Sequence, residues 1–485
     1  CSEPIISKVA IVKTEKDGAL THRLILGCRV SGTNAATTKY ERILPPKAWG
    51  VIRDSLAFAS QGKAGLRYFV CDFQDAFYKL PLNWAEQGYY AVVFQGRVYI
   101  WLRVGQGSLN GPALFGRLAA MVGRFTQSCF DSSECLLQIY IDDPIATIYA
   151  NERRTRRIKA MLLLIWLLLG FGLSTNKAQE GRQVGWIGFL LTAEGSTIHV
   201  AIKKKFMEEF DGETHKLHKT NLIPAKRLRS YTGRANHIAN LLPAWRPFLD
   251  YLWAAVTSVS TPYGTIRQVR RSRAGRGLVW KKQVLQSLKW IRAFLNLVHG
   301  PLERSWSLSA YLEPAGLLLF TFDASPWGLG GVATYMGVII AWFASPLSRL
   351  DEQIHQQTIG ESSGQQVWEA LAVLVGLKAW GEHWHHRKTQ LALRSDSMSA
   401  LAMAARMKVA YTAGIVGKEM SLVFSEASFM PQIVEHISGV TNVIADELSR
   451  MHEPGHSRDV PSQLQGISPT LISDRPRSWY KCLAA

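Results

Sequence analysis

Residues 135–143 read CLLQIYIDD, an apolar run that ends on two adjacent acids. A run of this length and composition is typical of a buried strand, so the segment predicts a strand whose end presents Asp142 and Asp143. A second apolar run, LRYFVCDF at 66–73, carries Asp72 at its end. If the two strands are neighbours in one sheet, the three carboxylates meet.

Three converging carboxylates predict a site for divalent cations, and hard oxygen ligands suit Mg²⁺. Phosphoryl transfer from a nucleoside triphosphate to a primer hydroxyl uses two such cations, one activating the attacking oxygen and one supporting the leaving pyrophosphate. A single Asp at a strand end is more often a solvated turn residue. The prediction therefore depends on the motifs around these acids.

Those motifs resemble the central palm motifs of retroelement reverse transcriptases, of the long-terminal-repeat or DIRS (tyrosine-recombinase) type. They occur in this order: VCDFQDAFYKLPL at 70–82, GQGSLNGPALF at 105–115 and YIDD at 140–143. Residues 13–34 resemble the fingers hairpin of these enzymes, 167–179 and 184–191 the motifs that close the palm, and 223–252 the thumb. The resemblance implies a right-hand polymerase with fingers, palm and thumb.

The resemblance also implies roles for individual side chains. Lys16 and Arg23 would hold the incoming triphosphate, Gln106 would lie against nucleotide and template, and Lys177 belongs to a motif that closes the palm. Phe77 stands five residues after Asp72, where its ring could exclude a 2′-hydroxyl, although an ordinary core phenylalanine is the alternative.

Two positions depart from the family pattern. Pro144 follows the acid pair where the family carries an apolar strand residue, and Pro lacks an N–H and restricts the residue before it. Gly27 stands where the fingers motif usually has Asp. These departures favour an alternative in which the chain is a decayed or domesticated nucleic-acid-binding protein on the same fold.

The second half of the chain contains another acidic set on alternating predicted strands and helices. Its members are Asp323 in a strand, Glu369 on a helix, Asp396 at a strand end and Asp446 on the last helix. The strings FDASPWGLGGV, VWEALAVLVGLKAW, LRSDSMSALA and HISGVTNVIADELSR resemble the ribonuclease H domain of retroelements over about 315–452. The resemblance implies two-metal hydrolysis of RNA in a hybrid.

His436 matches the flexible histidine that helps to shuttle protons in many ribonucleases H, with a polar edge residue as the alternative. Asn442, Ser449 and Arg450 are expected to serve the local loop and helix end. Each site is expected to bind two Mg²⁺, with Mn²⁺ as a possibility.

The predicted fold is a multidomain α+β chain: a right-hand polymerase followed by a ribonuclease H-like α/β domain with a five-stranded mixed sheet. The predicted segments are fingers and palm at 1–200, thumb at 201–260, a basic connection at 261–314, the ribonuclease H-like domain at 315–453 and a disordered tail at 454–485. The tail prediction depends on its Pro, Ser and Gly content.

Composition and charge agree with a nucleic-acid enzyme. The chain has 56 Lys and Arg against 37 Asp and Glu, a net charge of +19, which favours a polyanionic partner, with an acidic membrane surface as the competing reading. The expected partners are an RNA template, a DNA primer, the RNA–DNA hybrid and deoxynucleoside triphosphates, with no membrane. Oligomeric state stays open.

The six scattered cysteines predict neither a disulfide framework nor a zinc site, which fits an intracellular protein, cytoplasmic or nuclear. The apolar run at 161–173 is too short to span a bilayer and predicts a buried core helix. Because the sequence opens on Cys1 in mid-sequence style, an upstream portion is expected.

Overall fold

The computed structural model describes residues 4–16, 19–38, 43–59, 65–258, 277–307, 316–385, 390–407, 413–427 and 433–484. The chain divides into two compact units, Cys1–Val200 and Ala201–Ala485. The division falls where the sequence predicts the fingers and palm to end.

The first unit combines short strands with four helices. Its helices are α1 (Thr33–Ala36), α2 (Ala48–Ala59), α3 (Gly111–Ser128) and α4 (Glu152–Leu168). The strands that begin in this unit are β1 (Val9–Lys16), β2 (Ala19–Leu26), β3 (Leu66–Val70), β4 (Phe73–Gln74), β5 (Ala91–Phe94), β6 (Arg97–Ile100), β7 (Cys135–Tyr140), β8 (Asp143–Tyr149), β9 (Gly172–Leu173), β10 (Gln179–Gly181), β11 (Gln183–Trp186), β12 (Phe189–Glu194) and β13 (Thr197–Ile202).

A four-stranded sheet with the order β10-β3-β8-β7 forms the centre of the first unit. The predicted strands at 66–73 and 135–143 are β3 and β7, and both pair antiparallel with β8. Helices α3 and α4 cover the sheet through buried Phe115, Leu162 and Trp166. Burial of these large side chains stabilises the sheet that carries the first acids.

Helix α4 corrects one expectation. The run at 161–173 was expected to form a buried core helix, but only one stripe of it is buried, at Leu162 and Trp166. Leu164 and Leu168 on the other face are exposed. A helix on the surface of a sheet buries one side only, so apolar composition alone overestimated its burial.

The second unit begins with helices and continues into a larger sheet. Its helices are α5 (Lys204–Lys219), α6 (Ala225–Leu241), α7 (Asp250–Ser258), α8 (Lys281–Leu295), α9 (Arg349–His355), α10 (Gln365–Ala379), α11 (Gly381–Trp384), α12 (Met398–Arg406), α13 (Gly414–Glu426) and α14 (Val443–Arg450). Its strands are β14 (Leu222–Pro224), β15 (Leu278–Trp280), β16 (Glu303–Ser307), β17 (Leu317–Ala324), β18 (Gly328–Tyr335), β19 (Val338–Pro346), β20 (Gln390–Ser395) and β21 (Ile433–His436).

A five-stranded sheet with the order β19-β18-β17-β20-β21 forms the core of this unit. β17 is antiparallel to β18 and parallel to β20, so the sheet is mixed, as the sequence predicts. Helix α10 is apolar on almost every side and is almost entirely buried. The strand that carries Asp323 therefore lies directly beside the strand that leads to Asp396.

The expectation of a disordered tail is wrong for residues 454–484. Leu464 is buried against Val332, Trp342 and Leu448. The Thr470 N–H donates to the carbonyl of Trp342 at 2.7 Å, and the Trp342 indole donates to the carbonyl of Ile467 at 2.8 Å. The few large side chains of the tail find partners on the domain surface, and composition averaged over the segment hides this.

A buried ion pair fixes the middle of the tail. The Arg475 guanidinium binds both carboxylate oxygens of Asp351, at 2.9 and 2.7 Å, and donates to the Ser345 hydroxyl at 2.8 Å. Further along, Tyr480 shares a hydrogen bond of 2.9 Å with His355. The tail is thus part of the folded second unit.

Within the described ranges, no helix combines the length and apolar character needed to cross a bilayer. Part of the predicted basic connection, residues 261–276 and 308–314, lies outside the described residues.

Candidate active sites

The acids of the first set, Asp72, Asp142 and Asp143, lie where β3 ends and where β7 turns into β8. Asp72 follows β3 by two residues, and Asp142 and Asp143 stand at the β7–β8 turn, in which Tyr140 pairs with Asp143. The Phe73 N–H donates to the carbonyl of Asp142 at 2.9 Å, which joins the segment after β3 to this turn. The structure therefore brings all three predicted acids together.

The turn itself has an unusual backbone. Ile141 has a φ of 55°, a left-handed conformation that β-branched residues rarely adopt. Such a residue holds its geometry only when its surroundings determine it, and strained positions of this kind cluster at functional sites. The Trp186 indole donates to the carbonyl of Asp143 at 2.9 Å and supports the turn.

The carboxylates interact strongly with one another. Burial raises the pKa of Asp143 to about 7, helped by a hydrogen bond with the Asp72 carboxyl and by the negative charges of Asp142 and Asp72. Burial and the charge of Asp72 also raise the pKa of Asp142, whereas Arg23 and Lys177 lower it. Nearby cations would therefore stabilise the ionised form of these acids.

Two of the predicted basic residues lie near these acids. The Lys177 ammonium donates to Asp72 Oδ2 at 2.8 Å, and the Arg23 charge acts on Asp142. Lys16 ends β1, but its side chain lies outside the described residues. The positions of Arg23 and Lys177 are compatible with a role beside the acids, and their roles stay predictions.

Pro144 is accommodated within β8. Its carbonyl accepts from the Cys71 N–H at 3.3 Å, so this residue faces β3. In an antiparallel ladder the N–H and carbonyl of one residue point to the same neighbour. The last ladder pair between β3 and β8 is Val70 with Ile145. The N–H that Pro144 lacks would therefore have served only the end of this ladder.

Gly27 stands at a position with no room for a side chain. Its N–H donates to the carbonyl of Lys8 at 2.7 Å. A Cβ at Gly27 would lie 2.9 Å from that oxygen. The departure at this position therefore has a local steric reason, because the chain packs here against the Lys8 backbone.

The other predicted residues of the first site, Gln106 and Phe77, have defined packing. The Gln106 carbonyl accepts from the Leu26 N–H at 2.8 Å. Gly107 has a φ of 112°, and a Cβ there would lie 2.1 Å from the Leu26 carbonyl, so glycine is required. Phe77 is half-buried with its ring edge-on to Phe115 at 5.9 Å. The core role of Phe77 is visible, and its contact with a sugar stays a prediction.

The second acids gather around the centre of the five-stranded sheet. Asp323 is on β17, Asp396 follows β20, Glu369 is on α10 and Asp446 is on α14. Burial raises the pKa of Asp323 to about 7, opposed by a hydrogen bond from Ser449 and helped by the charges of the three other acids. Burial and Asp396 likewise raise the pKa of Glu369. The four predicted acids thus share one electrostatic environment.

Helix α14 and the residue that precedes it hold Asp323 in place. The Ser449 hydroxyl donates to Asp323 Oδ2 at 2.7 Å, and the Asn442 amide donates to Oδ1 at 3.5 Å and to the Phe322 carbonyl at 3.0 Å. The sequence assigned Ser449 and Asn442 to the local loop and helix end. Asn442 stands four residues before Asp446 and Ser449 three residues after it, so all three lie on one helix face. This spacing could have indicated their role.

The last helix and the last strand carry two further predicted residues. The Arg450 guanidinium donates a hydrogen bond of 2.8 Å to Asp446 Oδ1, one helical turn earlier in the same helix. His436 is exposed at the end of β21, where its Nε2 lies 3.0 Å from the carbonyl oxygen of Asp396. The histidine therefore lies beside the acids, and its part in proton transfer stays a prediction.

The fit of both acidic sets to a divalent cation depends on their spacing and on their donor atoms. As they stand, no three His, Cys, Asp or Glu side chains of the described residues are grouped closely enough to hold one ion. The donor chemistry fits, since carboxylates of raised pKa repel one another and offer hard oxygens. Beside the second acids, Gln365 Oε1 and Asn442 Oδ1 are buried without a donor among the described residues.

The segment predicted as the thumb carries basic residues on and beside its helices. Lys203 precedes α5, Lys204 and Lys205 open it, and Lys226 stands on α6. Arg227 on α6 binds Glu213 of α5 at 2.6 Å. This ion pair neutralises one of these basic residues within the unit.

Comparison with protein families finds a similarity within the first unit. Residues 15–191 match the family model described as "Reverse transcriptase (RNA-dependent DNA polymerase)". The chain is 23% identical over 261 residues to the Pro-Pol polyprotein of Simian foamy virus type 1, covering 53% of the chain and 19% of the polyprotein. It is 25% identical over 179 residues to the Gag-Pol polyprotein of Walleye dermal sarcoma virus, covering 36% of the chain and 9% of the polyprotein.

Solved structures give similar matches. One is a foamy viral protease-reverse transcriptase in complex with RNA/DNA hybrid, 16% identical, with a TM-score of 0.39, covering 97% of this chain and 52% of that one. Another is a foamy viral protease-reverse transcriptase dRH in complex with ds DNA, 17% identical, with a TM-score of 0.45, covering 89% and 65%.

The chain spans about a fifth or less of the polyproteins that it matches. Within that span, the family model covers β2 to β11, including every acid of the first site. Over residues 15–191 the chain is therefore similar to the reverse transcriptase (RNA-dependent DNA polymerase) family.

Proposed function

We propose that the first unit is an RNA-directed DNA polymerase that extends a DNA primer on an RNA or DNA template. The observation that carries this proposal is the meeting of Asp72, Asp142 and Asp143, with the Asp72 and Asp143 carboxyls hydrogen-bonded to each other. These acids lie inside the segment that matches the reverse transcriptase family.

In this proposal Asp72, Asp142 and Asp143 hold two Mg²⁺, or Mn²⁺ in its place. The metal ions would activate the primer hydroxyl and support the leaving pyrophosphate. The chain's own residues do the rest. Arg23 and Lys177, whose charges already act on these acids, offset the charge of the triphosphate.

Residues on the motifs beside the acids would position the nucleotide. Gln106 is held by the backbone contact of its loop with Leu26, and Gly107 allows close approach there. Phe77 packs on Phe115, which would fix its ring for discrimination against a 2′-hydroxyl. Lys16 is proposed as a further triphosphate ligand from the sequence motif alone.

We propose that the second unit removes the RNA strand of an RNA–DNA hybrid. Asp323, Glu369, Asp396 and Asp446 would hold a second pair of Mg²⁺, and the mixed sheet beneath them supports this reading. His436, exposed beside the Asp396 carbonyl, would carry protons near the product. Arg450 has to release Asp446, or share it, when a metal ion binds.

The expected partners follow from these two reactions: RNA template, DNA primer, RNA–DNA hybrid and deoxynucleoside triphosphates. The similarity to retroviral Pro-Pol and Gag-Pol polyproteins supports an origin in a retroelement polyprotein. An LTR- or DIRS-type element and an intracellular location, cytoplasmic or nuclear, stay part of the proposal.

The alternative is a non-catalytic nucleic-acid-binding protein on the same fold. Its main support was Pro144, together with Gly27. Pro144 lies at the end of one ladder and Gly27 has a steric reason, which weakens the support that these two positions give to the alternative.

Two assays on the full chain test both activities. The first follows primer extension on poly(rA)/oligo(dT) with Mg²⁺, and the second follows cleavage of a labelled RNA–DNA hybrid. Asp142→Asn should abolish extension and leave cleavage, and Asp396→Asn should abolish cleavage and leave extension, so that each variant is the control for the other. Extension that does not depend on Asp142, or RNA cleavage that survives Asp396→Asn, contradicts the corresponding assignment.

A further inference from the structure

Glu369 is held in the second site differently from the other acids. Asp323 lies on β17 and Asp396 directly after β20, and these two strands are paired in one ladder. The Ser449 hydroxyl ties α14, which carries Asp446, to Asp323. Glu369 stands on α10. Its distance from Asp323 therefore depends on how this helix packs on the sheet.

The side of α10 that faces the sheet lies very close to β17. A Cβ at Gly376 would lie 2.1 Å from the Phe322 ring, so glycine permits this approach. Trp380, directly after α10, stacks on the same ring with centroids 5.9 Å apart. Phe322 is the residue before Asp323. Apolar contact of this kind is non-directional, so it fixes the position of the helix along its axis less firmly than hydrogen bonds do.

Hydrogen bonds to the C-terminal end of α10 come from the tail. The Lys378 ammonium donates to the Trp479 carbonyl at 2.8 Å and lies 3.8 Å from the centre of the Trp479 ring. The Trp380 indole donates to the Thr470 hydroxyl at 3.1 Å. Lys378 follows Glu369 by about two and a half helical turns and so lies on the opposite side of the helix. The tail therefore holds α10 from the side away from Glu369.

A buried carboxylate joins the tail to the same lysine. Glu419 on α13 is buried, and its Oε1 accepts from Lys378 at 2.6 Å. Its Oε2 accepts from the Cys482 N–H at 2.9 Å. A buried ion pair is unfavourable unless its remaining lone pairs are satisfied, and the tail backbone supplies this donor. The tail thus supports Lys378 both directly and through Glu419.

The tail also reaches the other end of α10. Tyr480 is buried and shares a hydrogen bond of 2.9 Å with His355. The His355 ring lies edge-on to Trp368, with centroids 5.9 Å apart. Trp368 is buried and immediately precedes Glu369. The contacts of the tail therefore lie on both sides of Glu369 along the helix.

We propose that residues 470–482 of the tail position Glu369 in the second site by fixing α10 on the sheet. This inference rests on the proposed ribonuclease function of the second unit. The tail side chains act through α10 and not on the substrate, so they are positioning residues. If α10 can shift, Glu369 leaves the place where it would hold Mg²⁺. Displacement of a catalytic group by about 1 Å can lower a rate by about 100-fold.

Two matched pairs of substitutions in the full chain test this. Thr470→Val with Trp479→Leu removes the hydroxyl that accepts from Trp380 and the ring beside Lys378, and we call it the disrupted pair. Thr470→Ser with Trp479→Phe keeps a hydroxyl and an aromatic ring and is the conservative pair. Both leave the remaining tail contacts in place, so they differ only in the two contacts to α10.

A third variant controls for simple loss of stability. Val284→Ala truncates a buried side chain of α8 and leaves the contacts between the tail and α10 intact. It should lower the urea midpoint of the second unit, because a core truncation leaves a cavity. Its Mg²⁺ affinity and its kcat for hybrid cleavage should stay at the wild-type values while the chain is folded.

The first measurement is the affinity for Mg²⁺ by calorimetry, in the Asp142→Asn background so that the first site binds the ion weakly. The disrupted pair should lose about 10-fold in affinity and in kcat for hybrid cleavage, the lower end of the effect of losing support for a metal ligand. The KM for the hybrid should not change, since the nucleic-acid contacts are untouched. The conservative pair should stay close to wild type.

The second measurement is amide hydrogen exchange without metal ion, followed by mass spectrometry. The disrupted pair should raise the exchange rate of α10 relative to β17 by about 5-fold, the effect of losing one hydrogen bond. Val284→Ala should raise the two rates together, because global unfolding exposes both elements. The ratio of the two rates therefore separates a local shift of α10 from a loss of stability.

Unchanged Mg²⁺ affinity and kcat in the disrupted pair overturn the proposal. An equal loss in the conservative pair or in Val284→Ala also overturns it, since either would show that only stability matters. If the wild-type chain fails to cleave the hybrid while its Mg²⁺ affinity and α10 exchange respond to the disrupted pair as expected, the ribonuclease function is contradicted and the positioning of Glu369 by the tail is supported.

Discussion

The two acidic sites are supported in different ways. In the first, Asp72 is bound by Lys177, and Asp142 and Asp143 are fixed by a two-residue turn with Ile141 in a left-handed conformation. In the second, Asp323 is 7% exposed and is held by neutral donors from a distant helix. Support in the first site therefore comes from an exposed cation, whereas support in the second comes from buried neutral donors.

This difference has a physical consequence. A lysine on a surface turn can follow a carboxylate when a ligand binds, so the first site can change its charge pairing at low cost. A buried serine hydroxyl cannot be replaced by water without loss of packing and of a donor. Changes far from the acids should therefore affect the second site more than the first.

The largest effect is expected from the buried ion pair of the tail. Arg475→Met leaves Asp351, which is 0% exposed, without its cation. Loss of one partner of a buried pair costs about 3 kcal/mol or more, so the second unit should be destabilised by that amount in urea unfolding. Primer extension by the first unit should persist.

Arg156→Met in the first unit is the matched control, since its pair with Glu152 is exposed on both sides. Its cost should be small beside that of Arg475→Met, because solvent screens an exposed ion pair. Equal costs for the two substitutions would show that the tail contributes little to the second unit.

The next effect concerns the donor to Asp323. Ser449→Ala should lower hybrid cleavage and the affinity for Mg²⁺, measured by calorimetry, by about 10- to 100-fold, the usual effect of losing a residue that orients a metal ligand. Ser421→Ala removes another buried hydroxyl, one that bonds only to its own helix, and should leave both unchanged. If the two variants behave alike, Ser449 has only a packing role.

A pH effect should also separate the two units. Burial lowers the pKa of His355 to about 4, with Asp351 opposing this and Arg475 adding to it. The unfolded chain takes up this proton near pH 6.5. The contribution of neutral His355 to stability is therefore present above pH 6.5 and is lost as the pH falls toward 4.

Between pH 7 and pH 5 the second unit should lose about 2 kcal/mol that His355→Gln does not lose, because Gln cannot titrate. The comparison of the two proteins by urea unfolding at both pH values cancels the opposite contribution of acids such as Asp323. Identical pH dependence in both proteins would contradict a buried neutral histidine.

The smallest effect is expected at Pro144. Pro144→Val restores one N–H at the end of a ladder, worth about 1 kcal/mol or less, and gives up the restriction that Pro places on the unfolded chain. Unfolding free energy should change by less than about 1 kcal/mol, and primer extension should stay within a few-fold. A large gain in extension would show that Pro144 impairs the site.

Much of the fold was predictable from local patterns. Apolar runs bounded by turn signals located β3, β7 and β17, and the resemblance to ribonuclease H domains indicated a five-stranded mixed sheet. Residue types at these positions were also informative, since carboxylates at strand ends have few structural uses together. Apolar composition was misleading for α4, because apolar residues on an exposed helix face look the same in composition as buried ones.

The sequence by itself determined which residues carry the acids and on which elements they lie, because hydrophobic periodicity and motif order are local properties. Only the tertiary structure decided how the acids are supported: Ser449 and Asn442 reach Asp323 from more than a hundred residues away, and Arg475 reaches Asp351 from the tail. Such contacts depend on the three-dimensional path of the chain, and the composition of the tail gave no sign of them. The accommodation of Pro144 likewise became visible only when the register of β3 and β8 was known.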